Sequence, residues 1–154
     1  MARFRYSMQS ILNVKEKLET KAKQDFAAAN TKLMEEEEKL SDLKQRKEEY
    51  MEEGKKLRLQ VIDVVKIREN KLAVMKVDEY ILAQQKEVAK AEKQVEKARI
   101  ALQQSMQERK VHEKLKEKQF EEFLKDEQDK ENKEIDQLTT YVHGQKVLGE
   151  RKDG

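Results

Sequence analysis

Apolar side chains recur along this chain at gaps of three, four and seven. Ile11, Val14, Leu18, Ala22, Phe26, Ala29, Leu33, Leu40, Leu43, Tyr50, Leu57 and Val61 mark a first stripe, with Lys and Glu filling most positions between them. With each gap of seven counted as two steps, their mean spacing approaches the ~3.5 residues of a coiled-coil repeat. The Glu35-Glu36-Glu37-Glu38 run interrupts the stripe and reads as a solvated patch. A second stripe is cleaner. Ile81, Val88, Val95 and Leu102 recur every seven residues, with the small Ala91, Ala98 and Ser105 in the companion position. Small companions let a partner helix approach closely, and Leu33, Leu40 or Leu43 could fill the space. Farther on, Leu115, Phe120, Phe123 and Leu124, then Ile135, Leu138 and Val142, shift the pattern as a stutter would, locally relaxing a supercoil.

Between the stripes the repeat fails. Leu57, Leu59, Val61, Ile62, Val64, Val65 and Ile67 crowd together without a single narrow face. A turn or a short amphipathic helix would hide them against the tip of a hairpin, and Asp78 is placed to cap the helix that follows. Two stripes of similar length are buried most simply by folding back on each other. The pattern therefore predicts an all-α fold, a long two-helix antiparallel coiled-coil hairpin forming one unit over 1–143. Helix one covers about 4–57, the tip segment about 58–77 and helix two about 78–143. Gly144, Gly149 and Gly154 predict a flexible tail over 144–154.

Composition agrees with long helices. The 154 residues include no Pro and four Gly, and 43% are Asp, Glu, Lys or Arg. Pro breaks helices by lacking an N–H and clashing with the preceding turn, whereas Ala, Leu, Glu, Lys, Gln and Arg lose little side-chain entropy in one. Basic and acidic residues nearly cancel, at 34 and 32, and the apolar ones are periodic, which argues against a disordered chain. No Cys is present, which suits a reducing cytoplasm. The start is basic but leads into no apolar run, so neither a signal peptide nor the ~20 apolar residues of a membrane span is expected.

Motifs for chemistry are broken. His112-Glu113 opens like a zinc-protease helix, but Lys116 stands where the second His belongs. Gly144 to Gly149 imitates a phosphate loop, yet Glu150 and Arg151 replace the required Lys and hydroxyl residue. A two-helix seam offers no dry pocket in which to shift a pKa. The sequence predicts no enzyme, no catalytic residues, no cofactor and no metal. Basic runs such as Lys114-Leu115-Lys116-Glu117-Lys118 are interrupted by acids, so neither nucleic-acid binding nor direct membrane insertion is expected. The most basic region is the open end, where Arg3, Arg5, Lys15, Lys17, Lys21 and Lys23 would be joined by Lys146, Arg151 and Lys152.

The opening Phe4-Arg5-Tyr6-Ser7-Met8-Gln9-Ser10-Ile11-Leu12-Asn13-Val14-Lys15-Glu16-Lys17-Leu18-Glu19 resembles the start of the flagellar export protein family FliJ. Glu113-Lys114-Leu115-Lys116-Glu117-Lys118-Gln119, Phe120-Glu121-Glu122-Phe123 and Lys133-Glu134-Ile135-Asp136-Gln137-Leu138 extend the resemblance toward the other end. It implies a soluble, cytoplasmic part of the bacterial flagellar type III export apparatus. Such a protein is peripherally associated with the cell membrane and needed for flagellum assembly, hence for motility and chemotaxis.

The resemblance further implies a stalk-like adaptor, monomeric when free. Its open end would bind the hexameric export ATPase and its other end would reach the cytoplasmic domain of the membrane export gate, with export chaperones as further partners. On the residues, Phe4, Arg5, Tyr6, Lys15 and Lys17 are the candidates for the ATPase contact. Leu43, Tyr50 and Tyr80 match the gate-contacting positions, with Arg46 and Gln84 replacing aromatic groups nearby. The candidate seam is Ile11, Leu18, Leu33, Leu40, Ile81, Val88, Val95 and Leu102. The alternative reading is a general coiled-coil holdase for exported subunits, which would want large apolar groups exposed at the open end. A rod that merely dimerises is a third.

Overall fold

The computed structural model describes residues 2–153. Two helices, α1 (Gln9–Leu59, 51 residues) and α2 (Val64–Asp153, 90 residues), account for nearly all of them. No strand occurs among the described residues. Without Pro, nothing removes a ladder hydrogen bond along either helix.

The element boundaries differ from those the apolar pattern predicts. Helix one begins at Gln9 rather than near 4, because residues 2–6 are non-helical and fold onto α2. The turn shrinks from 58–77 to residues 60–63. Asp63, not Asp78, caps the second helix: its Oδ1 accepts the backbone N–H of Val65 at 3.1 Å and of Lys66 at 3.4 Å. An N-cap carboxylate satisfies donors that lack a partner in the first turn. Asp78 lies well inside α2 and pairs with Lys47 at 2.7 Å. At the other end α2 runs through Gly144 and Gly149 to Asp153, where a tail from 144 was expected. Neither glycine adopts a positive φ, and an interior Gly costs a helix only ~1 kcal/mol.

The chain divides into two compact units, Lys17–Met106 and Met1–Glu16 with Gln107–Gly154. In the Lys17–Met106 unit α1 and α2 pair antiparallel: Tyr50 meets Asn70, Lys47 meets Asp78 and Glu36 meets Gln84. The buried and half-buried positions of α1 in this unit include Glu19, Ala22, Phe26, Ala29, Leu33, Glu36, Leu40, Leu43, Lys47, Tyr50, Gly54 and Leu57. On α2 they include Ile67, Asn70, Val74, Val77, Ile81, Gln84, Val88, Ala91, Val95, Ala98, Leu102 and Ser105. Both series alternate steps of three and four, the spacing that keeps one face toward a partner helix. Leu33, Leu40, Ile81, Val88, Val95 and Leu102 lie on this seam. Leu18 does not. It is exposed, and the neighbouring Glu19 takes its place. Glu36, read in sequence as part of a solvated patch, is 4% exposed.

In the unit that carries both termini, Leu12 is 2% exposed and Tyr6 is buried, while Ile11 and Val14 face water. The candidate seam residue Ile11 is therefore off the seam. Only one of two adjacent positions can face a single partner, and continuous three–four spacing selects Leu12. On α2 the alternation continues through Arg109, His112, Lys116, Gln119 and Phe123. The predicted stutter is a shift in apolar content, not in backbone register: Leu115, Phe120 and Leu124 stand beside the seam and are exposed.

Candidate partner-binding surfaces

Residues 2–6 form a non-helical arm held on α2 by aromatic contacts. Phe4 meets Phe120 nearly edge-to-face, with centroids 5.1 Å apart at 64°, and Phe123 at 5.4 Å. Such geometry sets the positive ring edge against a neighbouring negative face. Tyr6 is buried, its hydroxyl pointing at the His112 carbonyl at 3.5 Å. His112 is thus a seam residue whose backbone receives the arm. Gln9 N–H donates to Tyr6 O at 3.1 Å and starts α1 directly behind it.

Of the ATPase candidates, Phe4 and Tyr6 are consequently engaged within the chain. Arg5 and Arg3 are exposed. Lys15 occupies a half-buried seam position and pairs with Glu108 at 2.9 Å. Lys17 is exposed on α1 in the other unit. Lys146 is exposed on α2, whereas the side chains of Arg151 and Lys152 lie outside the described residues. Phe4, Leu12, Glu16, Glu113, Lys116, Glu117 and Phe120 border a groove open to solvent. Water screens its carboxylates there.

In the Lys17–Met106 unit, the gate candidates Leu43 and Tyr50 are half-buried on the α1 seam, seven residues apart, and Tyr80 is exposed on α2. They do not make one face. Tyr50 offers its carbonyl to Asn70 Nδ2 at 2.7 Å. Arg46 is exposed, and Gln84 points inward.

Gln84 belongs to a polar layer. Its Nε2 donates to the Glu36 carbonyl at 2.9 Å and to the Glu36 carboxylate. Lys32 and Lys39 reach the other carboxylate oxygen at 3.0 and 3.4 Å. The Gln84 hydrogen bond, then that of Lys32, hold the Glu36 carboxyl down to about 2, against the opposing effect of burial. The Lys32 ammonium is correspondingly raised by its hydrogen bond to Glu36. In sequence the run of four glutamates looks solvated and conceals this layer. The signal that identifies it is the step of three from Leu33 and of four to Leu40. Among the described residues no cluster of three His, Asp or Glu is placed to hold a metal ion.

A family model described as flagellar FliJ protein matches residues 4–147. Among solved structures, a chain described as a YscO homolog from Chlamydia trachomatis is similar at 24% identity and a TM-score of 0.73. The match covers 92% of this chain and 96% of that one, and shows the fold. No curated protein sequence matches the chain.

Proposed function

The chain belongs to the flagellar FliJ family, and we propose that it serves the type III export apparatus as a stalk-like adaptor. On this reading it sits in the cytoplasm at the flagellar base and catalyses nothing itself. It binds the hexameric export ATPase through the unit carrying both termini. It also contacts the cytoplasmic domain of the export gate and export chaperones, and so serves flagellum assembly, motility and chemotaxis. The observation that carries the reading is the family match over residues 4–147, which takes in the terminal arm, the turn and most of α2.

The geometry divides labour within the terminal arm. Phe4 and Tyr6 anchor it, while Arg3 and Arg5 are exposed, as are the apolar Ile11 and Val14 of the same unit. Guanidinium groups form paired, charge-assisted hydrogen bonds with carboxylates, and Arg is among the side chains that most often dominate protein interfaces. A stalk that binds some conformations of a ring better than others biases its nucleotide cycle by that difference in affinity. For the gate, Tyr80 is the candidate free to touch a partner directly, while Leu43 and Tyr50 act through the seam.

The test separates anchoring from contact. Replacing Arg3 and Arg5 with Ala should abolish stimulation of the purified export ATPase and leave the helical melt unchanged. Replacing Phe4 and Tyr6 should lower the melt as well. Full stimulation by the arginine variant would contradict the assignment. Matched changes at Lys90, Lys93 and Lys97 on α2 should do little.

A further inference from the structure

Five large apolar side chains stand in water where α1 gives way to α2. Leu59, Val61, Ile62, Val64 and Val65 are between 65% and 96% exposed. The crowded apolar run was expected to be hidden, but a four-residue turn is too short to fold it back onto the helices. A contiguous apolar surface of this kind on a soluble protein marks a contact site.

The charges around it are lopsided. Lys55, Lys56 and Arg58 precede the turn and Lys66 and Arg68 follow it, all exposed. Asp63 is the acid among them, and its carboxylate already accepts the Val65 and Lys66 N–H groups. Glu52 and Glu53 lie beyond the collar on one side, Glu52 pairing with Lys55 at 3.3 Å, and Glu69 follows Arg68 on the other. At ~1.5 Å per residue Lys55 lies roughly 6 Å along α1 from Leu59.

We propose that this turn is a lipid-contact tip that seats shallowly in the interface of a bilayer rich in anionic phospholipid. Val61 and Ile62 enter the acyl boundary, while the basic collar meets the phosphates. An apolar wedge seated ~5–10 Å deep, with Lys and Arg at headgroup level, is the arrangement of interfacial membrane binding. Long basic side chains can lay their stems along apolar groups and keep the charge among headgroups. Neither the five apolar side chains nor the residues of the collar include an aromatic group, the kind that most often anchors a protein interface. A lipid interface receives exposed aliphatic groups without a shaped pocket, whereas a protein partner would need a matching cavity. The contact is interfacial: no helix among the described residues is long and apolar enough to cross a membrane. It narrows the expectation of no direct membrane insertion to one of no spanning, and it stands independently of the ATPase contact.

Flotation of the full chain with vesicles tests it. Wild type should float with mixed phosphatidylglycerol and phosphatidylcholine vesicles and not with phosphatidylcholine alone, and added salt should release it. The double variant Val61→Ser with Ile62→Ser should bind about tenfold more weakly with an unchanged melt, since both side chains are exposed. Ile135→Ser with Leu138→Ser, also at exposed positions, should bind as wild type. Absence of wild-type flotation, equal binding by the tip variant, or equal binding to neutral vesicles would overturn the proposal. So would a tip variant that keeps lipid binding and loses the purified gate domain, or a loss in the Ile135 and Leu138 variant equal to that at the tip.

Discussion

Asn70 lies across Gly54: a Cβ at position 54 would collide with its Oδ1. The same side chain donates through Nδ2 to the Tyr50 carbonyl at 2.7 Å. Gly54 is buried on the seam, so its missing side chain is what allows an amide from α2 to reach the backbone of α1. The pair fixes how the helices meet just before the turn.

Gly54→Ala should accordingly destabilise the protein despite improving helix propensity. To make room, the Asn70 amide must swing aside and give up its bond to the Tyr50 carbonyl, and leaving a buried polar group unsatisfied costs about 1–3 kcal/mol, against the ~1 kcal/mol that Ala gains over Gly in a helix. The melting temperature should fall. In a double-mutant cycle with Asn70→Ala the penalties should be non-additive, because the second change removes the atoms that clash. Additive losses would mean that the two residues do not interact.

The polar layer predicts a pH dependence. Glu36 has a folded value of about 2, below its usual 4.5. A depressed carboxylate contributes stability that is present above its unfolded pKa and is lost as pH falls toward the folded value. Wild type should lose this contribution between pH 4.5 and 2. Glu36→Gln should be less stable at neutral pH and lose less over that window. Parallel stability curves for the two proteins would refute the role assigned to Glu36.

The cap at Asp63 is testable by a graded pair of substitutions. Asp63→Ala should cost about 1 kcal/mol, and Asp63→Asn, which keeps an acceptor oxygen, much less. Asp78→Ala should remove only the ion pair with Lys47, whose partners are both partly exposed, a loss of ~0–1 kcal/mol. Chemical denaturation would rank the three variants. The reverse order would return the cap to Asp78.

Val95 is half-buried on the α2 seam. Val95→Asp places an unpaired charge there, and the expected loss is several kcal/mol. Circular dichroism melts should drop well below wild type. Lys97→Asp, at an exposed position two residues on, is the matched control and should change the melt little.

The sequence determined the class of fold. Absence of Pro, abundant helix formers and apolar spacing at threes and fours leave two long helices as the way to bury both stripes. The strict repeat from Ile81 to Leu102 located the α2 seam, because there the apolar residues and the seam coincide. The resemblance of residues 4–19 to the FliJ family was likewise legible, since aromatic and basic residues before a coiled coil are not required by helix formation.

What tertiary structure alone decided are the places where apolar content and seam register part. Ile11 and Leu18 are apolar and exposed, while Glu19 and Glu36 are charged and buried. A two-helix seam is narrow enough that continuity of spacing outweighs the chemistry of any one position. A charge can then remain on it when Gln84 from the facing helix and Lys32 one turn back on its own helix satisfy it. The arm showed the same limit. Phe4 and Tyr6 looked like free interface groups until Phe120, Phe123 and the His112 backbone were brought beside them. Contacts between residues more than a hundred positions apart leave no trace in local pattern, because they depend on where the second helix returns.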